Sequence, residues 1–284
     1  MATKITVLVD NRAERSGLAT EHGLSLWVEH GDCKILFDTG ASGRALLANA
    51  EALGIELADA DAICLSHGHL DHTGGLAAAL PRLAGADLYA HPRVFAERFS
   101  HSTSGWHSIG MPLSAEQIER AGVLTHLSEN PTEVCPGATL LRAVERDESL
   151  VPPTPHLYAR GPAGRVPDTF PDDQVLVLEV GEGIVVVSGC AHGGIANHCR
   201  AAQRHVDPEG KTARGEIVAV VGGFHLEGTP RQFVEATIEG LRRLGVRRFF
   251  PCHCTGRQGA EALRKAFGVA CQPVAAGAAL EFPD

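Results

Sequence analysis

Residues 66–75 place three imidazoles and one carboxylate within six consecutive positions, a density of side chains that suits the binding of a metal ion. The four candidate ligands are His67, His69, Asp71 and His72. Nitrogen and oxygen donors of these kinds bind zinc, manganese or iron. A solvated, histidine-rich surface loop is the alternative, but such a loop gives no reason for four ligands at this spacing. The segment therefore predicts a metal site.

The flanking segments indicate how these ligands are positioned. Residues 61–65 are short and apolar enough for a buried strand, and residues 76–83 have the apolar period of a helix. The ligands then lie on a strand-to-helix turn, where alternating residues of an extended backbone can converge on one point. Gly68, Gly74 and Gly75 allow the sharp bends that this turn requires.

Residues 67–72 match without a gap the His-x-His-x-Asp-His signature of the metallo-β-lactamase superfamily, which the chain therefore resembles. Within it, the chain is similar to the branch named for dihydropterin–ribofuranosyl-aminobenzene-phosphate synthase. The segments that carry this second resemblance are residues 9–11, 21–25, 36–40, 188–192, 222–226 and 251–256. The resemblance implies an α/β fold: an αββα four-layer sandwich of two mixed β-sheets flanked by helices, with the metal site at one edge of the sheets.

Further ligands must come from other loops, and three histidines follow apolar, strand-like runs. His192 and His253 follow residues 184–187 and 247–250, and we expect both to bind metal rather than only to hydrogen-bond a strand end. His225 follows residues 218–221. By analogy with related superfamily members it is a proton donor or a substrate contact, and a direct ligand role is the equal alternative.

The chain departs from the commonest superfamily pattern at Cys190, because many members have a metal-bridging aspartate after the corresponding glycine. Cys190 is either a thiolate ligand or a small buried residue with no contact to metal, and the second interpretation is slightly favoured. The separate histidine that usually precedes that strand is not obvious, so His192 takes its part. His156 is the alternative and is expected to be a loop residue.

Polar residues at the first strand ends are candidates for supporting the ligands. Asp38 follows an apolar run and is expected to hold the ring N–H of a metal-bound histidine, with a turn-capping role as the alternative. Asp10 and Asn11 are expected to hydrogen-bond the same loops. The remaining histidines are expected at the surface or in packing: His22, His30, His91, His101, His107, His126, His198 and His205.

Strand-like and helix-like runs alternate in both halves of the chain. Strands are predicted at residues 4–9, 24–29, 34–38, 61–65, 87–91, 139–144, 175–180, 184–187, 217–221 and 247–250, and helices near 44–53, 76–83, 195–205 and 232–244. Residues 100–112 have no clear period and are expected to form a loop or a lid over the site, and residues 152–171 are expected to be irregular.

Composition restricts the class of protein. A length of 284 residues without a linker predicts one domain over residues 1–284, and the net charge of −9 without a basic cluster argues against a nucleic-acid partner. The N terminus reads as a first strand rather than a secretion signal, and no run approaches the roughly 18 apolar residues of a membrane span. Eight irregularly spaced cysteines do not suggest a disulfide framework, so a cytoplasmic location is expected. The absence of a basic cluster makes a small molecule the expected substrate.

The predicted cofactors are two divalent metal ions, zinc with manganese or iron as alternatives. One ion is assigned to His67, His69 and His192, and the other to Asp71, His72 and His253. The predicted function is a metal-dependent hydrolase that uses a metal-bound hydroxide on a small ester, lactone or phosphoester, with Asp71 and His225 as catalytic side chains.

Two other functions stay open from the sequence. The branch resemblance implies a transferase that condenses a pterin diphosphate with a ribofuranosyl-aminobenzene phosphate, although no glycine-rich phosphate loop supports it independently. A non-catalytic, metal-stabilised binding or sensor protein is the third possibility. The sequence leaves the substrate and the oligomeric state open.

Overall fold

The computed structural model describes residues 2–143 and 145–283. Met1, Val144 and Asp284 lie outside these ranges, so the last residue of the strand predicted over residues 139–144 is outside the described part of the chain.

The structure contains strands and helices in mixed order along the chain. The strands are β1 (Thr3–Val9), β2 (Ser25–His30), β3 (Cys33–Phe37), β4 (Ala62–Cys64), β5 (Asp87–Ala90), β6 (Arg98–Ser102), β7 (Gly105–Ser108), β8 (Thr125–Leu127), β9 (Thr132–Cys135), β10 (Ala138–Arg142), β11 (Leu157–Gly161), β12 (Gly164–Pro167), β13 (Gln174–Val180), β14 (Gly183–Ser188), β15 (Ile217–Gly223), β16 (Arg248–Cys252) and β17 (Ala279–Phe282). The helices are α1 (Arg44–Leu53), α2 (Leu70–Thr73), α3 (Leu76–Ala79), α4 (Ala115–Arg120), α5 (Ile195–Val206), α6 (Arg231–Arg243) and α7 (Gly256–Phe267).

Two large sheets form the middle of the molecule. The first has seven strands in the order β17-β1-β2-β3-β4-β5-β8, and the second has six in the order β16-β15-β14-β13-β10-β9. Both are mixed: β3, β4, β5 and β8 are parallel, as are β14, β15 and β16, while the remaining neighbours are antiparallel.

Alternation of side chains along the strands explains the layering. In β14, Val185 and Val187 join the core between the two sheets, whereas Ile184 and Val186 pack towards α5 and α6. Because a strand points successive side chains to opposite faces, a sheet covered on both faces needs an apolar residue at every position. A third cluster, around Leu36 and Leu46, packs α1 and α3 on the first sheet. The predicted αββα arrangement is confirmed.

A third sheet was not predicted. Its four strands have the order β12-β11-β6-β7 and come from residues 98–108 and 157–167, which the sequence analysis expected to be a loop or lid and an irregular segment. That expectation is wrong. Most side chains of β7 and β12 are exposed, so these strands pair through their backbones without the apolar alternation that would reveal them.

One pair of cysteines also corrects the sequence analysis. Cys33 in β3 and Cys135 in β9 form a disulfide that links the two large sheets across 102 positions of the chain, and the other six cysteines are free. Cysteines that lie 102 positions apart form no local pattern from which their pairing could be predicted.

Across residues 2–143 and 145–283, no helix combines the length and the apolar character needed to cross a membrane.

Candidate metal centre

His67, His69 and His192 form a first group of metal-binding side chains, with one ligand atom from each lying within 4.8 Å of the others. His67 and His69 follow β4, and His192 follows β14, so the group joins the two sheets at one edge. All three imidazoles are buried, and His67 Nε2 lies 3.1 Å from His69 Nδ1. The structure thus brings together the set that the sequence analysis assigned to one ion.

The hydrogen bonding of this group fits a metal ion. Three ring nitrogens have no hydrogen-bond partner among the described residues: His192 Nδ1, His192 Nε2 and His69 Nε2. A buried polar atom without a partner costs free energy, and coordination of a cation would remove that cost. Burial lowers the pKa of His69 to about 3 and holds the pKa values of His67 and His192 well below the usual range. The imidazoles are therefore neutral at pH 7, the form that binds metal.

We expect the metal-free protein to lose stability as the pH falls from 6.5 towards 3. In that window the unfolded chain protonates His67, His69 and His192, but the folded protein does not, so protons favour unfolding by about 1.4 kcal/mol per pH unit for each such histidine. His72 has the opposite linkage, because its pKa is raised to about 9 and its contribution is lost as the pH rises from 6.5 to 9. Urea unfolding in the presence of a chelator at several pH values measures both slopes.

The control for this experiment is His69→Gln. In this variant the unfolded chain takes up one proton fewer between pH 6.5 and 3, so the acid slope should become shallower by about 1.4 kcal/mol per pH unit, the contribution of one histidine. An acid slope that His69→Gln leaves unchanged would contradict the assignment.

Asp71, His72, Cys190 and His253 form a second group with the same spacing of ligand atoms. Asp71 Oδ2 lies 3.3 Å from His253 Nε2 and 3.6 Å from His72 Nε2, and Cys190 Sγ lies 3.2 Å from His72 Nε2. Burial opposes ionisation of Asp71, but the neighbouring histidines hold its pKa well below the usual range. This group contains the second predicted set, and it adds the sulfur of Cys190, for which the sequence analysis slightly favoured no contact.

Asp38 fixes the orientation of His72, as predicted. Its Oδ2 accepts hydrogen bonds from His72 Nδ1 at 2.7 Å and from Ser66 Oγ at 2.7 Å, and its Oδ1 accepts the Ser66 N–H at 2.8 Å. With Nδ1 occupied by the carboxylate, Nε2 of His72 is left facing the second group. Ser66 Oγ also lies 2.9 Å from His67 Nδ1, so Asp38 connects to both groups.

Two residues that follow β1 hold the last ligand loop, also as predicted. Asp10 Oδ1 accepts the backbone N–H of His253 at 2.7 Å, and Asn11 Oδ1 lies 2.9 Å from His253 Nδ1. His22 was expected at the surface, and its side chain is 73% exposed, yet its Nε2 lies 3.3 Å from Asp71 Oδ2. His22 therefore belongs to the solvent side of the site, which its position in the sequence did not reveal.

Comparison with a known family covers every member of these two groups except His253. The family model described as the metallo-beta-lactamase superfamily matches residues 19–206. The chain belongs to the metallo-β-lactamase superfamily. Members of this superfamily generally bind divalent metal ions, and the groups around His67 and Asp71 consist of side chains that could hold them.

Individual superfamily members resemble the chain over most of its length. A curated relative is the 7,8-dihydropterin-6-methyl-4-(beta-D-ribofuranosyl)-aminobenzene-5'-phosphate synthase of Methanocaldococcus jannaschii, which is 32% identical over 262 residues, 88% of this chain and 86% of the relative. An uncharacterised protein of the same organism is 29% identical over 253 residues, 89% of this chain and 90% of that protein. The crystal structure of a metal-dependent hydrolase of the beta-lactamase superfamily has a TM-score of 0.80 and 30% identity, and the match covers 99% of this chain and all of that one (100%).

In the present chain, two consecutive aspartates hold the loops of the first group, and the sequence did not predict them. Asp172 Oδ2 accepts the N–H of Gly68 at 2.8 Å, and Asp173 Oδ2 accepts the N–H of Gly193 at 2.6 Å. Gly68 lies between His67 and His69, and Gly193 follows His192. Asp172 lies in the turn before β13, which the Asp173 N–H closes by donating to the Phe170 carbonyl oxygen at 3.3 Å. The two neighbouring side chains therefore reach different loops.

Buried side chains pair with both carboxylates. Arg98 at the start of β6 is 1% exposed; it donates to Asp168 Oδ2 at 2.8 Å from Nε and also binds Asp172. His198 Nε2 lies 2.7 Å from Asp173 Oδ2. Arg98 binds Asp172, which in turn holds Gly68, so this ion pair attaches the third sheet to the loop of His67 and His69. The only sequence signal was an acidic pair that ends a Pro-rich segment.

Backbone strain is concentrated around the same site. Among the residues that the structure describes, five other than glycine have positive φ: Asp38 (58°), Phe170 (48°), Ala191 (58°), His225 (49°) and His253 (47°). Such conformations cost free energy and persist only where the surrounding structure fixes them. The ring of Phe170 stacks on His192 with its centroid at 4.0 Å, so this strain positions ligands and the wall beside them.

We expect Asp172→Asn to lower the zinc affinity of the first group by about 10–100-fold, the usual effect of losing a group that orients a ligand. The amide keeps the size of the side chain but removes the charge that pairs with Arg98 and holds Gly68. Competition with a chromophoric chelator measures the affinity of each ion.

Asp10→Asn is the matched control, because Asp10 is a buried carboxylate that holds the His253 loop of the second group instead. Asp10→Asn should lower the zinc affinity of the second group rather than that of the first. The same pattern of loss in both variants would contradict the role given to Asp172.

Proposed function

We propose that this protein is a metal-dependent hydrolase of a small ester, lactone or phosphoester. The observation that carries the proposal is the pair of adjoining ligand groups at one sheet edge, where the ring centroids of His67 and His72 are 4.3 Å apart. Two neighbouring cations are the usual arrangement for stabilising both the attacking and the leaving oxygen of a hydrolysed bond.

The assignment of ligands follows the two groups. His67, His69 and His192 would hold one zinc ion, and Asp71, His72 and His253 would hold the other. When bound, the ions supply Lewis acidity and an activated water at neutral pH. The chain contributes neutral imidazoles in the first group, an ionised Asp71 in the second, and a buried wall at Phe170 that excludes bulk water.

Asp71 has a second task in this proposal. Its side chain is 20% exposed, whereas those of His72 and His253 are buried. A carboxylate in this position can accept a hydrogen bond from the attacking water and orient it towards a substrate entering from the His22 side. His225 has two alternative roles, that of a proton donor to the leaving group and that of a metal ligand.

A synthase is the second candidate. The relative from Methanocaldococcus jannaschii, at 32% identity, carries a synthase name. That observation favours a transfer reaction in which the pterin of a pterin diphosphate becomes bonded to a ribofuranosyl-aminobenzene phosphate and inorganic diphosphate is released. Metal ions held by the same two groups would then neutralise the charge on the diphosphate leaving group.

Turnover by zinc-loaded protein of a panel of model esters, lactones and phosphodiesters tests the hydrolase. Release of inorganic diphosphate from a pterin diphosphate, dependent on the second substrate, identifies the synthase. Metal-loaded Asp71→Ala protein is the control for contaminating activity. Absence of both reactions in protein with full metal content would favour the non-catalytic binding or sensor role.

We further propose one domain, a small-molecule substrate and a cytoplasmic location. The net charge of −9 disfavours a polyanionic partner, and six of eight cysteines are free. The Cys33–Cys135 bond favours an oxidising compartment instead. Alkylation of thiols in intact cells decides the location, because a cytoplasmic protein should be trapped with both of these cysteines reduced.

A further inference from the structure

Cys190, His225 and Cys254 form a third group of ligand atoms within 4.8 Å of one another. Each residue lies two positions beyond the end of a strand: Cys190 after β14, His225 after β15 and Cys254 after β16. These three strands are parallel neighbours, and Ser188 pairs with Gly222 and Gly223 with Cys252. The fold therefore delivers the three side chains to one place by the same geometry.

The backbone around the two sulfur atoms is built for their close approach. Cys254 Sγ accepts the N–H of His225 at 3.3 Å and lies 3.6 Å from the carbonyl oxygen of Cys190. A Cβ added to Gly223 would lie 2.5 Å from Cys254 Sγ and 2.3 Å from the carbonyl oxygen of Gly189. A larger residue at position 223 would displace the Cys254 thiol, so this glycine is required by the cluster.

The donor set differs from that of the first two groups. Two thiols and an imidazole are soft or borderline ligands, which select thiophilic ions over magnesium, calcium or manganese. His225 Nδ1 is buried without a hydrogen-bond partner in the described chain. A cysteine that only fills space in the core needs no second thiol and no imidazole beside it. Cys199 of α5 is an example, because it is fully buried in an apolar cluster and belongs to none of the three groups.

We propose that Cys190, His225 and Cys254 are the ligands of a third metal site, which takes a thiophilic divalent ion such as zinc or cadmium. Of the two roles left open for His225, this is the ligand role. Cys190 Sγ is also 3.2 Å from His72 Nε2, so its sulfur can bridge the third site and the second group. The proposal concerns metal content and does not depend on which reaction the protein catalyses.

Cadmium titration of reduced, metal-free protein tests the site, because thiolate ligation gives an ultraviolet charge-transfer absorption that nitrogen and oxygen ligands lack. The expected result is that Cys254→Ser binds one cadmium ion fewer than the wild type and loses part of the thiolate absorption. Cys190→Ser should lose more, since its sulfur serves two groups. Cys199→Ser is the matched control and should retain the wild-type stoichiometry and spectrum.

The site is overturned if Cys254→Ser keeps the wild-type stoichiometry and absorption while only Cys190→Ser changes them, since Cys190 would then serve the second group alone. A second measurement needs no variant. Cys254 is partly exposed, so bound cadmium should slow its alkylation by iodoacetamide at least about tenfold, as measured by mass spectrometry. Equal rates of Cys254 modification with and without cadmium would also overturn the proposal.

Discussion

Asp71→Ala is expected to bind one metal ion fewer than the wild type and to lower kcat/KM by at least about 10³-fold, because an ion that stabilises developing charge contributes several kcal/mol. The side chain of Asp71 approaches His72 and His253, and no other carboxylate belongs to the second group in the described chain. The first group contains no atom of Asp71, so its ion should remain. Metal analysis together with kinetics on the true substrate measures both effects.

The fold should tolerate this change. Asp71 is partly exposed in the short helix α2, and the contact it makes with Leu24 uses its backbone oxygen, which alanine retains. Circular dichroism and the unfolding midpoint of the metal-free variant provide the control. A variant with full metal content, or one that loses every ion, would contradict the division into two groups.

His192→Ala is expected to show the complementary pattern: loss of the first ion, retention of the second, and a fall in kcat/KM of at least about 10³-fold. His192 is the one member of the first group that comes from the second sheet, and neither of its ring nitrogens has a hydrogen-bond partner in the described residues. Without it, two histidines of one loop remain, which is too few for a tight site.

His30→Ala provides the matched control for removing a buried imidazole. His30 is 1% exposed, contacts Thr3 Oγ1 at 2.7 Å, and ends β2 next to the turn into β3, at the opposite end of β3 from Asp38. It should alter stability without altering metal content. If His192→Ala binds as much metal as His30→Ala does, His192 is a packing residue beside Phe170.

The sequence was sufficient to predict the parts of the site that follow strands. The positions of His67, His192 and His253 could be inferred because parallel strands end at the same sheet edge and a strand-like run precedes each of these histidines. The contact of Asp38 with His72 followed from the same reasoning.

The missed parts depend on pairings between distant segments. Asp172 and Asp173 reach Gly68 and Gly193, which are 104 and 20 positions away, from a segment without apolar period. The third sheet is held by backbone pairing and by Arg98, neither of which leaves a periodic pattern. His22 contacts the site through a single exposed side chain, and such a contact has no sequence signature.

The third sheet has an evolutionary consequence. The β6–β7 hairpin begins at buried Arg98 and returns at Gly110, which pairs with His69, so both of its ends are fixed beside the ligands. Further out, Trp106 and Val166 are exposed and belong to none of the three apolar clusters. Surface hairpins accept insertions and substitutions at little cost in stability. The outer parts of these hairpins can therefore change in sequence and length while the side chains of the two groups stay in place.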